Sequence, residues 1–148
     1  LSLSTDTTDD ASASYLEWDK QYVYMLADKA DATTDANNYY PGTSGHSYTS
    51  TRFYKDSVLT ISPIDGYPLV VIDFTATSEN YATVFGNSTW TNASASVSSK
   101  VITITPTDGT SAIRVAVTGT CGFTSASFAY ASGGALTTYT VTYLPGTG

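Results

Sequence analysis

The stretch Pro68–Thr77 reads Pro-Leu-Val-Val-Ile-Asp-Phe-Thr-Ala-Thr, and every second residue in most of it is apolar. The apolar residues that share one face of an extended chain are Val70, Ile72, Phe74 and Ala76. Successive side chains of a β-strand point to opposite faces, so this period of two places one apolar row against a core. The stretch therefore predicts a half-buried strand.

The same period recurs on both sides of this stretch. The further runs are Ser57–Ser62 with Leu59 and Ile61 inward, Lys100–Thr105 with Ile102 and Ile104, Ala112–Thr118 with Ile113, Val115 and Val117, and a last run with Tyr139, Val141 and Tyr143. Turn signals separate the runs, among them Ile64-Asp65-Gly66, Thr107-Asp108-Gly109 and Gly133-Gly134. Short strands joined by short turns predict an all-β fold, an antiparallel two-sheet β-sandwich of the jelly-roll or Ig-like kind.

The segment Ser14–Lys29 allows two interpretations. A helix would align Tyr15, Trp18, Tyr22 and Leu26 along one stripe. The part Gln21–Ala27, however, is rich in aromatic and β-branched residues, which favour a strand. We expect a strand here, because a lone helix in an all-β chain needs a sheet face to cover.

The length of 148 residues predicts one domain. We expect residues 1–14 to form a linker or an edge arm, residues 15–143 the β-sandwich, and residues 144–148 a linker or a sortase-like tail. The stretch Asp28–Gly45 is rich in Asp, Asn, Thr and Gly, which predicts a long surface loop.

Charge excludes two classes of partner. The net charge is −7 and the pI about 4.2, and acidic residues are concentrated before residue 36. No basic surface is available for nucleic acid or for anionic lipids. No apolar run approaches the roughly 20 residues of a membrane helix, so we expect no membrane insertion.

Residues for catalysis or metal binding are sparse. His46 is the one histidine, Cys121 the one cysteine, and neither has a partner of the kind that a triad or a zinc site needs. Cys121 is interpreted as a buried apolar residue, and Asp73 falls on the outward phase of its strand. We therefore expect a protein without enzymatic activity and without a cofactor. Calcium stays open as an alternative, because a run of oxygen-bearing residues lacks only the usual ligand spacing; its members are Asp28, Asp31, Asp35, Asn37 and Asn38.

The aromatic residues give the main functional signal. Trp90 and Trp18 have small polar or acidic neighbours, which is not typical of a core. Aromatic rings beside amides and carboxylates suit a sugar, because a pyranose has apolar C–H faces and a rim of hydroxyls. The predicted ligand-binding residues are Trp90, Trp18, Tyr39, Tyr40, Tyr48 and Asn92. The alternative is that both tryptophans pack in the interior.

Several segments carry a family resemblance. They are Thr51-Arg52-Phe53-Tyr54-Lys55, Leu59-Thr60-Ile61-Ser62, Asp65-Gly66-Tyr67, Ser88-Thr89-Trp90-Thr91-Asn92-Ala93, Val101-Ile102-Thr103-Ile104 and Val141-Thr142-Tyr143. In order and type these segments resemble non-catalytic β-sandwich modules of secreted bacterial proteins, similar to carbohydrate-binding modules. The resemblance covers about residues 50–143. It implies an extracellular or cell-surface module that anchors an attached enzyme to a polysaccharide such as plant cell-wall β-glucan.

The last residues, Leu144-Pro145-Gly146-Thr147-Gly148, resemble a sortase signal, although a Pro/Gly-rich linker fits them as well. Either interpretation favours an exposed location. A second hypothesis follows, namely a structural or adhesive Ig-like surface unit such as a spacer, a pilin or a virion decoration. In that case the aromatic residues are core, and the acidic arm pairs with the open sheet edge of a neighbour.

Overall fold

Two antiparallel sheets face each other in the computed structural model, which describes residues 15–28, 30, 51–64 and 66–131. The strands are β1 (Tyr15–Asp19), β2 (Val23–Asp28), β3 (Thr51–Phe53), β4 (Val58–Pro63), β5 (Leu69–Ala76), β6 (Thr89–Thr91), β7 (Ala93–Ser98), β8 (Val101–Pro106), β9 (Ile113–Ala116) and β10 (Cys121–Tyr130), and the helix α1 is Glu79–Gly86. The predicted arm 1–14, the last predicted run and the tail 144–148 lie outside the described residues.

Among the described residues, each sheet has five strands. Sheet 1 has the order β1-β2-β4-β9-β6, and sheet 2 has the order β3-β10-β5-β8-β7. Every pair of neighbouring strands is antiparallel. The predicted all-β two-sheet sandwich is confirmed. The strand predicted from the composition of Gln21–Ala27 is confirmed as β2, and a helix is not formed there. The structure adds a turn before Val23 and a preceding strand, β1, which were not predicted.

The core lies between the sheets and consists mainly of the alternate residues of their strands, with Ala82 and Phe85 added from α1. Three predicted runs have the expected inward faces, because Leu59 and Ile61, Ile102 and Ile104, and Ile113, Val115 and Val117 are all buried. Phe53, Phe74, Phe85 and Phe123 fill the centre with ring contacts between 4.5 and 6.5 Å. Cys121 is buried too, as interpreted, and burial raises the pKa of its thiol.

Val70 departs from the predicted pattern. Its side chain is 53% exposed, whereas that of Leu69 is only 3% exposed. Tyr130 of β10 pairs with Leu69 and Ala129 pairs with Val71, so Val70 is an extra residue on β5 without a counterpart. Such a β-bulge shifts the alternation by one residue. The prediction that Val70 faces the core is therefore wrong.

The helix α1 follows directly after β5 and was not predicted. Ser78 caps its N-terminus, with Oγ accepting a hydrogen bond from the backbone N of Tyr81 at 3.1 Å. Ala82 and Phe85, three residues apart, turn one face of the helix into the core. α1 contacts β5, β7, β8 and β10 and covers the end of the sandwich at which β5 finishes. In the described part of the chain, no helix is long and apolar enough to cross a membrane.

Candidate functional site: an aromatic cluster at one end of the sandwich

Trp18, a predicted binding residue, lies in the core. Its side chain is 0% exposed and contacts Phe53 edge to face across the two sheets. Its acidic neighbours Glu17 and Asp19 point to the other side of β1, because adjacent residues of a strand alternate. The prediction that Trp18 stands at the surface is wrong, and we remove it from the candidate site.

Trp90 is half-buried beside the helix α1. Its Nε1 donates a hydrogen bond to the carbonyl oxygen of Phe85 at 3.2 Å, and its ring meets the Phe85 ring edge to face. The polar edge of the indole is thus used within the protein. Trp90 closes the junction between α1 and β6, which leaves only part of its ring for a partner.

The side-chain amide of Asn92 is also engaged internally. Its Nδ2 donates to the carbonyl oxygens of Asp108 (3.0 Å), Ser111 (3.1 Å) and Ala112 (3.3 Å), and its Oδ1 accepts from the backbone N of Asp108 (3.0 Å). Asn92 itself has a positive φ of 66°. The residue holds the loop between β8 and β9 against the β6–β7 corner, so its role is structural.

Tyr39, Tyr40, Tyr48 and His46 lie outside the described residues, as do Asp31, Asp35, Asn37 and Asn38 of the calcium alternative. Within the described ranges no three His, Cys, Asp or Glu side chains are grouped as metal ligands. Asp73 lies on the outward side of β5, as predicted, and accepts a hydrogen bond from Thr103 Oγ1 at 2.7 Å.

The structure gathers a different set of rings, which we call the aromatic end: Tyr22, Tyr67, Phe128 and Tyr130. The ring centroids of Tyr22 and Tyr67 are 4.1 Å apart, and those of Tyr22 and Tyr130 are 5.4 Å apart. Phe128 stacks on Tyr130 at 6.4 Å with an angle of 20° between the ring planes. All four side chains are half-buried. The cluster joins sheet 1 to sheet 2 at the end opposite α1.

Backbone hydrogen bonds place these rings. Tyr22 lies in the turn between β1 and β2, and its carbonyl oxygen accepts from Ile64 N at 3.1 Å. Tyr67 N donates in turn to the carbonyl oxygen of Ile64 at 3.0 Å, across a turn in which Gly66 has a φ of 86°. A left-handed φ of this kind favours glycine. The loop before β5 is thereby fixed next to the β1–β2 turn.

The same loop borders a shallow cavity of about 110 Å³. Its lining residues are Pro63, Ile64, Gly66, Pro68 and Thr110. Ile64 is exposed, and Gly66 and Pro68 flank Tyr67 in the chain. The space is large enough for several water molecules or for a small polar group such as a hydroxymethyl. Rings and cavity thus lie side by side at one end of the molecule.

The phenol of Tyr130 stays neutral at ordinary pH. Burial raises the pKa of Tyr130 above its usual value, and the nearby phenol of Tyr22 raises it further. Neutral hydroxyl groups both donate and accept hydrogen bonds. The cluster therefore offers apolar ring surface together with uncharged polar groups.

Sequence reasoning missed Tyr22, Tyr67 and Tyr130 as a group. One signal was available, because Tyr67 follows Gly66 and precedes Pro68. Tyrosines beside turn residues lie at strand ends, where a sandwich is open.

Comparison of the chain with protein-family models, with curated proteins and with solved structures gave no match.

Proposed function

We propose that the protein is a non-catalytic carbohydrate-binding module, located outside the cell or at its surface, that holds an attached enzyme or surface protein against a polysaccharide. The observation that carries this proposal is the aromatic end, in which rings from three separate parts of the chain are brought together and left partly exposed. The platform thus differs from the tryptophan-based one that the sequence predicted.

Stacking of sugar rings on the aromatic end sets the affinity that we expect of the proposed site. At about 25 cal/mol per Å², covering roughly 100 Å² on each of two rings contributes about 5 kcal/mol, against ordering costs of at least about 4 kcal/mol. Binding of one site is then weak, in the micromolar to millimolar range. The aromatic end favours a neutral polysaccharide such as a β-glucan over an acidic one, since its phenyl and phenol side chains supply no cation for a uronate.

Affinity gel electrophoresis tests the proposal. Migration of the wild-type protein is compared in gels that contain β-glucan, xyloglucan, mannan or xylan. We expect Tyr67→Ala to abolish retardation in the gel that retards the wild type. Tyr81→Ala is the matched control, because Tyr81 is a half-buried tyrosine of α1, at the end of the sandwich opposite the aromatic end. Equal retardation of all three proteins, or none for the wild type in any gel, would contradict the proposal.

A second candidate function has its own support. Trp18 is fully buried and Trp90 packs on Phe85, as a purely structural or adhesive surface unit predicts. In such a unit the aromatic end contacts a neighbouring domain instead of a sugar. The two functions differ in a measurable way, because intrinsic tyrosine fluorescence changes on titration with a polysaccharide only in the first.

A further inference from the structure

The cavity beside Tyr67 combines apolar lining with one polar side chain. Pro63, Ile64 and Pro68 line it from the end of β4 and from the loop before β5. Of the described lining residues, Thr110 in the β8–β9 loop alone has a polar side chain. The volume of about 110 Å³ holds several groups the size of a water molecule. The cavity therefore suits a small group that is apolar at one end and polar at the other.

The β8–β9 loop is attached to the start of β5. The carbonyl oxygen of Gly109 accepts a hydrogen bond from the backbone N of Leu69 at 2.9 Å. A Cβ atom on Gly109 would come within 2.3 Å of the carbonyl oxygen of Leu69, so this close approach requires glycine. Thr110 follows Gly109 in the chain and Pro68 precedes Leu69. The contact between the two loops therefore sets the distance between Thr110 and the apolar lining.

The hydroxyl group of Thr110 has its proton engaged within the loop. Thr110 Oγ1 donates to Oδ1 of Asp108 at 2.7 Å, and the backbone N of Thr110 donates to the same oxygen at 2.9 Å. Hydrogen bonds from Thr110 and from Ser111 lower the pKa of Asp108, so its carboxylate is ionised at neutral pH and cannot donate. A hydroxyl group has one proton and two lone pairs. Thr110 Oγ1 is thus left as an acceptor, which favours a ligand group that donates.

The hydroxymethyl group at C6 of a hexopyranose has this chemistry. Its methylene is apolar and suits Ile64 and the two prolines, and its O6–H can donate to Thr110 Oγ1. The group projects from the rim of the sugar ring. Tyr67 lies in the chain between Gly66 and Pro68, which both line the cavity. A ring stacked on Tyr67 would therefore carry its hydroxymethyl group beside the cavity.

We propose that this cavity selects hexose polysaccharides by their C6 hydroxymethyl groups, with Thr110 as the specificity-determining residue. The inference rests on the proposed function, because the aromatic end holds the ring to which the hydroxymethyl group belongs. Pentose polymers such as xylan have no C6 and offer the cavity no group. A uronate has a carboxylate at C6, which has no proton to donate and is repelled by the ionised Asp108, 2.7 Å from Thr110 Oγ1.

Polymers that differ at C6 test the selection in affinity gels. The probes are β-glucan and mannan, the same two polymers oxidised at C6 to the carboxylate, and xylan. We expect the better hexose polymer to bind the wild-type protein about tenfold more tightly than its oxidised form or xylan, because these lack the donated hydrogen bond and the neutral hydroxymethyl group. The inference fails, while the proposed function stands, if xylan or an oxidised polymer binds as tightly, or if xylan or xyloglucan retards the protein and neither β-glucan nor mannan does. Absence of retardation in every gel would overturn both.

Substitution of Thr110 tests the acceptor separately. Thr110→Val keeps the shape of the side chain without the hydroxyl and should weaken binding of the hexose polymer about fivefold, with binding of xylan unchanged. Thr110→Ser keeps the hydroxyl and should bind like the wild type. Thr83→Val is the matched control, because Thr83 is equally exposed and its hydroxyl donates to the carbonyl oxygen of Glu79 at 3.1 Å, in α1 at the other end of the sandwich. Unchanged binding by Thr110→Val, or an equal loss in Thr83→Val, would overturn the role of Thr110.

Discussion

The indole of Trp18 and the phenyl ring of Phe53 meet edge to face with their centroids 6.3 Å apart and their planes at 80°. Trp18 belongs to sheet 1 and Phe53 to sheet 2, so the contact crosses the sandwich. Both side chains are buried. This pair ties the N-terminal hairpin to the strand β3, of which the structure describes three residues.

Replacing the indole should therefore weaken the fold. We expect Trp18→Ala to lower the free energy of unfolding by about 3–5 kcal/mol, since it leaves a large cavity, and Trp18→Phe to cost less. Urea denaturation followed by circular dichroism measures both values. A loss below about 1 kcal/mol for Trp18→Ala would show that the hairpin contributes little to the core.

The loop that Asn92 holds gives a second prediction. Asn92→Ala removes four hydrogen bonds. It also leaves an alanine at a φ of 66°, where no side-chain hydrogen bond offsets the strain of the left-handed backbone. We expect a loss of about 2 kcal/mol. Asn92→Gly removes the same hydrogen bonds but tolerates the backbone, so its loss should be smaller by about 1 kcal/mol. Thermal denaturation of the two variants separates these contributions, and equal losses would refute a conformational cost.

The bulge at Val70 gives a third prediction. Val70→Thr should change the free energy of unfolding by less than about 0.5 kcal/mol, because the side chain is 53% exposed. Ile72→Thr, two residues further and fully buried, should cost about 2 kcal/mol or more, because it removes apolar contacts and buries a hydroxyl. Denaturant midpoints of the two variants provide the comparison. A large effect at Val70 would mean that it faces the core after all.

Acid stability should depend on Asp108. Its carboxylate accepts hydrogen bonds from the Thr110 hydroxyl, the Thr110 backbone N–H and the Ser111 hydroxyl, which lower its pKa below the usual 3.8. A lowered pKa in the folded state means that the ionised form stabilises the fold. This contribution is present above pH 4 and is lost as the pH falls through the folded-state pKa.

The matched comparison for this titration is Asp108→Asn. Urea midpoints of the wild type and the variant, measured between pH 2 and pH 6, should converge at the acid end, because the wild type loses its advantage there. Curves that stay parallel over this range would show that the hydrogen bonds of Asp108 do not favour its ionised form.

The alternation of side chains predicted the strands β4, β8 and β9 with their correct faces, because the inward face of a regular strand follows from its own residues. The same rule failed at Val70, because a bulge arises from the pairing of β5 with β10 and leaves no mark in β5 itself. The helix α1 was missed because it is only eight residues long. Its signals in the sequence were the capping residue Ser78 and the three-residue spacing of Ala82 and Phe85. Neither of them appears as an alternation of apolar and polar residues, which is the pattern of a strand.

The candidate site was harder to predict than the fold. The prediction put Trp18 at the surface because Glu17 and Asp19 are its neighbours in the sequence. Adjacent side chains of a strand lie on opposite faces, so these two acids do not surround the indole. Tyr22, Tyr67 and Tyr130 are far apart in the chain and meet only through the order of the strands. Sequence patterns report local periodicity, and therefore they could not identify a cluster that depends on topology.

β1 begins at the α1 end of the sandwich, and β10 finishes at the aromatic end. A pull applied through these two points runs parallel to the strands. It loads the ladder between β1 and β2, and that between β10 and β5, in shear, so that their hydrogen bonds must break together instead of one by one. A pull between Tyr15 and Tyr130 should therefore meet more resistance than one that opens either ladder from one end.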